Sequence, residues 1–486
     1  MPLHAQADPI DALPLVEFDA TAQAEAVRAG QLTPEDLLDA AIARIEQLNP
    51  LLNALSSIAF DAARQRAQAL AADGALAGVP TLLKDLLAYP GQPIGLGSRL
   101  MAGQVAPAGS PYTDALDAAG LLILGKTATS EFGLIGTTEP LATGATRNPW
   151  DLSRSTGGSS GGAAAAVASG MVPLAHASDG GGSIRGPASL CGVFGFKPSR
   201  WRTRFAGLPK EMPLAAILSE HCLSRSVRDS ATWLRVTEAD DIAPGLPEAV
   251  TLAENPPHRL RIGHYHRDAF GNAPDTAAVA ALEHTVTLCR ALGHDVTPVE
   301  GPRFDGRTAS RAVFDIMAMT TAGMLDFLAP GLPPEAMAAC LEPYTIMLIG
   351  HARGLAPSRL TEAAAELSAA GEAAERAFDG VDILLSPTIP FTAFPLGTVA
   401  PDCPPERLRA HFERSAGFTA AASLAGWPAM SVPLFWSDEG LPAGSHFAAR
   451  DGEDALLFRL AFQLEKAAPW APRLLALSRD LACRKS

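Results

Sequence analysis

The sequence predicts an α/β fold in which a large β-sheet is covered on both faces by α-helices. Two observations carry this prediction. Short apolar runs of strand length alternate along the chain with segments of helical periodicity. These runs are apolar throughout, as expected of strands buried on both faces. The composition agrees, because 48% of the 486 residues are hydrophobic and only 19% are charged, which is typical of a well-packed globular protein.

The first 75 residues are predicted to form a helical segment that packs on the rest of the chain. Thr33 is a suitable N-cap, Pro34 occupies the first helical position and Asp36 follows three residues after the cap. We expect this helix to end at Asn49-Pro50 and a second helix to cover 61–72.

Residues 76–486 are predicted to form the main domain of a single compact unit. "GVPTLLKDLL" and "LLILGKT" predict strands, with a helix at "SPYTDALDAAG" between them. "AAAAVASG" then predicts a helix and "VPLAHASD" a strand. Later strands are expected at "HRLRIGHY", "DILLSPTIP" and "AMSVPLF", and residues 310–380 are predicted to be mainly helical.

Charge and composition exclude several classes of function. The net charge of −14 and the lack of a basic run argue against a nucleic-acid partner. No apolar run reaches membrane-spanning length, and the N-terminus lacks a basic start followed by an apolar core, so we expect a cytoplasmic protein. The six cysteines form no C-x-x-C pair, which favours reduced thiols. His264 and His266 have no third ligand nearby, so neither a metal nor a cofactor is expected.

Lys84 lies within an apolar run and raises two interpretations. Burial of an ammonium group lowers its pKa, which turns the lysine into a neutral base. Alternatively, the side chain extends along the sheet and reaches water at its edge. The stretch around Lys84 alone leaves both open.

Two glycine-rich runs supply serines in unusual surroundings. "RSTGGSSGG" leads straight into a predicted helix, a poor place for a flexible linker, and no Gly-Lys-Ser/Thr follows that would indicate a phosphate-binding loop. In "SDGGGSIR", consecutive glycines precede Ser183. Their backbone N–H groups are expected to face a developing oxyanion while Ser183 attacks a carbonyl. No G-x-S-x-G elbow is present.

Read together, these motifs resemble the amidase signature family. The resemblance rests on "GVPTLLKD", "GGSSGG", "SDGGGSIRGPASLCGVFGFKPS", "DILLSPT" and "GWPAMSVPL", and extends from about residue 20 to 475. It implies an amidase signature fold, an α/β/α arrangement with a large mixed sheet, and an amide hydrolase with a Ser-cisSer-Lys triad.

The resemblance also implies roles for individual residues. Ser183 would be the nucleophile, Ser159 the bridging serine after a cis peptide bond, and Lys84 the base. Ser160 would support them by hydrogen bonding, and Gly180, Gly181 and Gly182 would line the oxyanion hole. Protons would pass from Ser183 through Ser159 to Lys84, and water would hydrolyse the acyl-enzyme.

Asp179 and Arg185, which flank the nucleophile, are expected to brace its loop by ion pairing. The sequence also departs from the common family pattern in two places. His176-Ala177-Ser178 replaces the first glycine region, and "GSHFAAR", with Ser445-His446, replaces a frequent Gly-Val-Gln strand. The second change is expected to reshape the pocket wall.

The substrate is predicted from weaker signals. Two passages resemble the branch of the family that includes 6-aminohexanoate cyclic dimer hydrolase. Phe132, Leu134 and Ile135, with a helical region around 305–380, are expected to line a pocket for an apolar, aryl or cyclic amide or a carbamate. A small polar amide is the alternative. Other readings are the glutaminase subunit of a tRNA-dependent amidotransferase, or a non-catalytic scaffold. A small-molecule substrate is the expected partner, and a homodimer is the family's usual state.

Overall fold

The computed structural model describes residues 16–71, 73–242 and 244–484. Predictions that concern the first 15 residues, among them the absence of a secretion signal, lie outside this range. So does Ala72, the predicted end of the second helix, which is observed over Phe60–Ala69.

The α-helices are distributed along the whole described chain. In chain order they are α1 (Ala20–Arg28), α2 (Pro34–Leu52), α3 (Phe60–Ala69), α4 (Pro111–Ala118), α5 (Gly161–Ala168), α6 (Arg185–Cys191), α7 (Val227–Thr237), α8 (Ala249–Glu254), α9 (Thr276–Ala291), α10 (Gly306–Leu328), α11 (Pro334–Cys340), α12 (Pro343–Arg353), α13 (Arg359–Ala374), α14 (Pro405–Ala416), α15 (Ala420–Ala425), α16 (Asp454–Ala467) and α17 (Ala471–Cys483). Short 3₁₀ turns cover Arg99–Met101, Glu131–Gly133, Pro213–Ala216 and Glu375–Phe378.

The strands form two sheets. They are β1 (Leu55–Ile58), β2 (Pro80–Lys84), β3 (Leu122–Thr127), β4 (Leu174–Asp179), β5 (Phe194–Lys197), β6 (Ser219–Ser224), β7 (Arg261–His264), β8 (Asp295–Pro298), β9 (Ile383–Pro387), β10 (Ala429–Trp436) and β11 (Pro442–Ala448). The small sheet has the order β1-β3-β2, and the eight-stranded sheet has the order β4-β6-β5-β10-β11-β9-β7-β8. Antiparallel pairs run from β4 to β9, and β9, β7 and β8 are parallel. The predicted α/β class with a large mixed sheet is therefore confirmed.

The two sheets meet where β2 lies beside β4. Thr81 Oγ1 donates a hydrogen bond to the carbonyl oxygen of Leu174 at 3.1 Å, and the Lys84 amide donates to Nδ1 of His176 at 3.3 Å. This junction places Lys84, at the end of β2, close to the end of β4, where the glycine-rich loop begins.

Helices from both ends of the chain pack into one main core. Side chains of α2, α3, α5, α16 and α17 share an apolar cluster with the large sheet, and every residue of α5 is buried. None of the helices in the described ranges combines the length and apolar character needed to cross a membrane.

The N-terminal helix α2 begins as predicted and ends later than predicted. Thr33 and Asp36 form a reciprocal capping box. The helix runs past Pro50 to Leu52, and Asn53 adopts a left-handed conformation after it. Asn49 stabilises this end, because its side-chain oxygen accepts hydrogen bonds from two backbone amides. These belong to Ala54, which precedes β1, and to Leu55, the first residue of that strand.

Candidate active site

Lys84 lies completely buried at the end of β2. Its Nζ donates to the Ser159 hydroxyl at 2.7 Å and to Ser178 Oγ at 3.0 Å. Burial lowers the pKa of Lys84 to about 7, although the nearby carboxylates of Glu220 and Asp179 oppose this shift. Of the two interpretations of Lys84, the structure therefore supports a buried amine in contact with serine hydroxyls, and not a side chain that reaches water.

Ser159 and Ser160 lie just before α5 and face the junction of β2 and β4. The peptide bond between Gly158 and Ser159 is cis, as the family resemblance implies. The Ser160 hydroxyl donates to the carbonyl oxygen of Ser178 at 3.2 Å, and the Lys84 amine bonds both Ser159 and Ser178. Both serines are therefore connected to the end of β4, just before the glycine-rich loop. Gly158 leaves no room for a side chain, because a Cβ there would lie 2.5 Å from the carbonyl oxygen of Thr137.

The loop that carries Ser183 is organised by Asp179. One carboxylate oxygen accepts the Gly182 amide at 2.7 Å, and the other accepts the amides of Ile184 at 3.1 Å and Arg185 at 3.3 Å. The residues on both sides of the serine are thus fixed by one side chain. Ser183 itself is partly exposed and lines a cavity.

This arrangement corrects the prediction that all three glycines offer N–H groups to an oxyanion. Gly181 and Gly182 line the cavity, but the Gly182 amide already donates to Asp179 and is not available to a substrate. Gly182 is required for another reason: its φ is +138°, and a Cβ would lie 2.6 Å from Thr419 Oγ1. Gly180 is not among the residues that line the cavity, because its α-carbon faces Leu218, 2.9 Å from where a Cβ would stand.

Asp179 and Arg185 form a fully buried ion pair, in keeping with their predicted bracing role. Arg185 Nε and Nη2 each approach a different carboxylate oxygen at 2.9 Å. Burial alone would raise the pKa of Asp179, but Arg185 holds it below its ordinary value. The remaining guanidinium donors go to the carbonyl oxygen of Thr419, to Ser423 Oγ and to Nε2 of His446.

His446 therefore lies behind the glycine-rich loop that carries Ser183 and is not among the residues that line the cavity. Burial and the Arg185 charge lower the pKa of His446 well below its ordinary value, so its neutral ring accepts from Arg185. Ser445 points to the other side, where its hydroxyl is 2.6 Å from Thr285 Oγ1. Neither Ser445 nor His446 is among the residues that line this cavity, so the expected effect on the pocket wall is not found there, and His446 instead contacts Arg185.

Replacement of Arg185 by alanine is expected to destabilise the fold by about 3–5 kcal/mol, because it leaves the buried Asp179 carboxylate without its counter-charge. Urea unfolding measures this loss. Arg64→Ala is the matched control, because it removes an ion pair whose side chains are 47% and 68% exposed, and such pairs contribute less than about 1 kcal/mol. Equal losses in the two variants would contradict the bracing role.

The cavity in front of Ser183 has glycine on one side and apolar side chains on the other. Residues near the two serine-containing loops include Gly133, Ile135, Gly157, Gly158 and Gly186. The opposite wall consists mainly of apolar side chains: Leu190, on the helix that follows Ser183, and Ile389, Phe391, Phe394, Phe412 and Ala416, which come from much later in the sequence. Ser415 also lines it. The site is therefore bounded by the backbone of the serine loops on one side and by mainly apolar side chains on the other.

Of the three predicted pocket residues, only Ile135 lines this cavity. Phe132 has a positive φ of 50°, and the 3₁₀ turn around it directs Phe132 and Leu134 into an apolar cluster with Phe314 and Tyr344. The helical region around 305–380, expected to line the pocket, supplies those partners from α10 and α12 and thus packs one layer behind the cavity.

Several residues of the site escaped the sequence analysis. Ser178 accepts a hydrogen bond from the Lys84 amine. Its position at the start of the motif "SDGGGS" is the sequence feature that could have indicated a place in the site. His176 and Glu220 form a 2.9 Å pair beside Lys84, and nothing in their spacing indicates it. The aromatic wall comes from 391–412, more than 200 residues after the serine. Among the described residues, no group of three or more metal-binding side chains lies together.

Comparison with known proteins gives the class of enzyme, a hydrolase that acts on carbon–nitrogen bonds. The sequence profile of the family described as Amidase matches residues 36–458, and the chain belongs to that family. It is 34% identical over 487 aligned residues to a 6-aminohexanoate-cyclic-dimer hydrolase of Paenarthrobacter ureafaciens, covering 95% of this chain and 98% of the relative.

Solved structures agree with this assignment. A 6-aminohexanoate cyclic dimer hydrolase complexed with substrate superimposes with a TM-score of 0.86 at 32% identity, over 95% of this chain and 99% of the other. A bacterial aryl acylamidase of the amidase signature family gives a TM-score of 0.85 at 28% identity, over 97% and 100% of the two chains. The predicted membership of the amidase signature family is therefore confirmed.

Proposed function

We propose that this amidase hydrolyses an apolar, aryl or cyclic amide or a carbamate through an acyl-enzyme on Ser183. One observation carries the proposal. The buried Lys84 amine bonds the Ser159 hydroxyl at 2.7 Å, next to a cavity that is lined, apart from Ser183 and Ser415, by glycine and apolar side chains.

The chemistry follows from these contacts. A neutral Lys84 amine has a lone pair that accepts the Ser159 hydroxyl proton while its own N–H groups donate to Ser178. Ser159 then takes the proton of Ser183 as that oxygen attacks the carbonyl carbon. The contact between Ser183 and Ser159 is not formed in the described structure, and active-site contacts of this kind often tighten only with substrate.

Collapse of the tetrahedral intermediate reverses the proton path. Lys84, now protonated, returns a proton through Ser159 to the nitrogen of the leaving amine, and the C–N bond breaks. Water then enters, gives its proton to the same relay and releases the acid from Ser183. The free backbone donors nearest the developing oxyanion are those of Gly181 and Ser183, because the Gly182 amide is held by Asp179.

The rate is expected to fall as pH drops through about 7, because protonation removes the Lys84 lone pair on which the relay depends. A pH profile of kcat/KM on a neutral substrate measures this limb. Glu220 raises the pKa of Lys84, so Glu220→Gln should move the limb to lower pH. A limb that stays in place in this variant would show that another group titrates.

The apolar wall predicts the preference among substrates. A panel of para-nitroanilides, small primary amides, cyclic amides, carbamates and esters separates the possibilities. We expect hexanoyl and benzoyl para-nitroanilides to exceed the acetyl para-nitroanilide by at least about a hundredfold in kcat/KM, because the leaving group is the same and each buried methylene contributes about 0.8 kcal/mol. Faster turnover of small polar amides would overturn the substrate class. Glutamine hydrolysis that appears only with a co-purified protein would favour an amidotransferase subunit instead.

A cytoplasmic location belongs to the same proposal. All six cysteines are free thiols, which suits a reducing compartment. Fractionation of the native cells, with the chain detected by antibody, tests it.

A further inference from the structure

Thr419 lies in the short connection between α14 and α15 and contacts the glycine-rich loop. It is fully buried, and its hydroxyl donates a hydrogen bond to the carbonyl oxygen of Gly181 at 2.5 Å. The two residues are 238 positions apart in the sequence, and Thr419 is not among the residues that line the cavity. Thr419 therefore bonds the loop that carries Ser183 from behind, away from the space that a substrate would occupy.

This hydrogen bond holds one end of a peptide unit whose other end is held by Asp179. The carbonyl group of Gly181 and the amide of Gly182 belong to the same planar unit. Thr419 donates to the carbonyl oxygen, and Asp179 accepts the amide hydrogen at 2.7 Å. A unit between two glycines, whose backbones rotate most freely of all residues, is thus fixed at both ends.

The amides that remain for an oxyanion lie on either side of this unit. They belong to Gly181 and Ser183, and they extend from the α-carbons of the two glycines that the unit joins. Both α-carbons also pack against the connection after α14. A Cβ on Gly182 would lie 2.6 Å from Thr419 Oγ1, and one on Gly181 would lie 3.4 Å from the ring of Phe412. The fixed unit therefore determines where these two amides begin.

Thr419 is itself fixed relative to Asp179. Its carbonyl oxygen accepts a hydrogen bond from Arg185 Nη1 at 2.9 Å, and Arg185 forms the buried ion pair with Asp179. One guanidinium thus connects the two groups that hold the Gly181–Gly182 unit. Because this contact uses the Thr419 backbone, it persists when the side chain is changed.

We propose that Thr419 is a positioning residue for the oxyanion hole. Its hydroxyl holds the Gly181–Gly182 peptide unit so that the amides of Gly181 and Ser183 face the developing oxyanion. The inference rests on the proposed function, because an oxyanion forms only if Ser183 attacks a carbonyl carbon. Donors fixed before the reaction stabilise the transition state more than the bound substrate, so loss of the hydroxyl should lower kcat and leave KM nearly unchanged.

The test compares Thr419→Ala with Thr419→Ser, two variants that differ from each other only by the hydroxyl. The substrate is the para-nitroanilide that the wild type hydrolyses fastest. We expect the alanine variant to lower kcat by about ten- to hundredfold, somewhat less than the loss of an oxyanion donor itself, with KM within about threefold. The serine variant should stay within about threefold of the wild type in both constants. Thr419→Val, which fills the space without a donor, is the second variant if the alanine protein does not fold.

Thr146→Ala is the matched control. Thr146 is also fully buried, and its hydroxyl donates to the carbonyl oxygen of Asn53 at 2.7 Å, 93 positions away and outside the cavity. Urea unfolding should show a comparable loss of stability in Thr146→Ala, while its kcat stays within about threefold of the wild type. An equal fall of kcat in Thr146→Ala and Thr419→Ala, or a serine variant as slow as the alanine variant, would show a structural role only and overturn the proposal.

A trifluoromethyl ketone with the acyl chain of the same anilide gives a second measurement. The Ser183 oxygen adds to the ketone carbon, the serine proton passes to the Ser159–Lys84 relay, and the former carbonyl oxygen becomes an anion in the hole. Its inhibition constant should rise in Thr419→Ala by about the factor by which kcat/KM falls. Inhibition by the alcohol of the same chain, which forms no oxyanion, should change by less than about threefold. An unchanged inhibition constant for the ketone would contradict the role in the oxyanion hole.

The outcomes also distinguish this inference from the function on which it rests. If Ser183→Ala is inactive and Thr419→Ala has the kcat of the wild type, the role of Thr419 is refuted and the amidase proposal stands. If Ser183→Ala keeps the wild-type rate, the acyl-enzyme on Ser183 and the role of Thr419 are both refuted.

Discussion

Replacement of Ser183 by alanine is expected to lower kcat on an anilide by at least about a thousandfold, because no other group can form the acyl-enzyme. The fold should persist, since the Ser183 side chain makes no hydrogen bond in the described structure and the loop is held by Asp179 through backbone amides. Initial rates and thermal unfolding of the same preparation measure both quantities.

Ser153→Ala is a suitable control for this loss. Ser153 is exposed, and its hydroxyl bonds only the neighbouring Asp151. Its replacement should change kcat by less than about twofold, as expected for an exposed residue. Residual activity of Ser183→Ala within about tenfold of the wild type would remove Ser183 from its assigned role.

Replacement of Lys84 by methionine is expected to cause a loss of similar size. The variant keeps the length and apolar stem of the side chain and removes the amine that bonds Ser159, so the relay loses its base. We expect kcat to fall by at least about a thousandfold at every pH between 6 and 9, with no acidic limb left in the profile.

Lys126→Met provides the matched control for Lys84. Lys126 is equally buried and lies on β3, and its amine donates to the carbonyl oxygen of Leu87 at 2.5 Å. Burial lowers the pKa of Lys126 to about 8, so it resembles Lys84 in all but its partner. A loss in Lys126→Met as large as that in Lys84→Met would mean that burial of a lysine in this sheet supports the fold, and not the chemistry.

The three buried lysines show how much of the site can be predicted from the sequence. Lys84, Lys126 and Lys197 all lie in short apolar strands, and the structure buries each of them completely. Burial lowers the pKa of Lys197 to about 7 as well, yet its amine bonds the carbonyl oxygen of Pro198 at 2.7 Å. Apolar runs predict the strands and their burial. The packing of β2 against β4 is what brings the Lys84 amine to the Ser159 hydroxyl at 2.7 Å, whereas the Lys197 amine reaches Ser219 Oγ only at 3.4 Å.

The site was predictable where its chemistry lies in local motifs. The serine runs, the lysine strand and the alternation of helix and strand are short-range features, and the fold reproduces them. The partner of the Gly182 amide is also close in sequence, because Asp179 lies three residues earlier and turns back from the end of β4, but the motif alone does not show which backbone amides that carboxylate will accept. The pocket wall is harder still to predict from the sequence, because Phe391, Phe394 and Phe412 reach the loop around Ser183 only through tertiary packing.

Covalent labelling tests the central claim most directly. A fluorophosphonate transfers its phosphonyl group to an activated serine, and mass spectrometry of the digested protein locates the adduct. We expect a single adduct on Ser183, formed at the wild-type rate in Lys126→Met and at least about a hundredfold more slowly in Lys84→Met. An adduct on Ser159 or on any other residue, or an equal rate in the two lysine variants, would contradict the proposed relay.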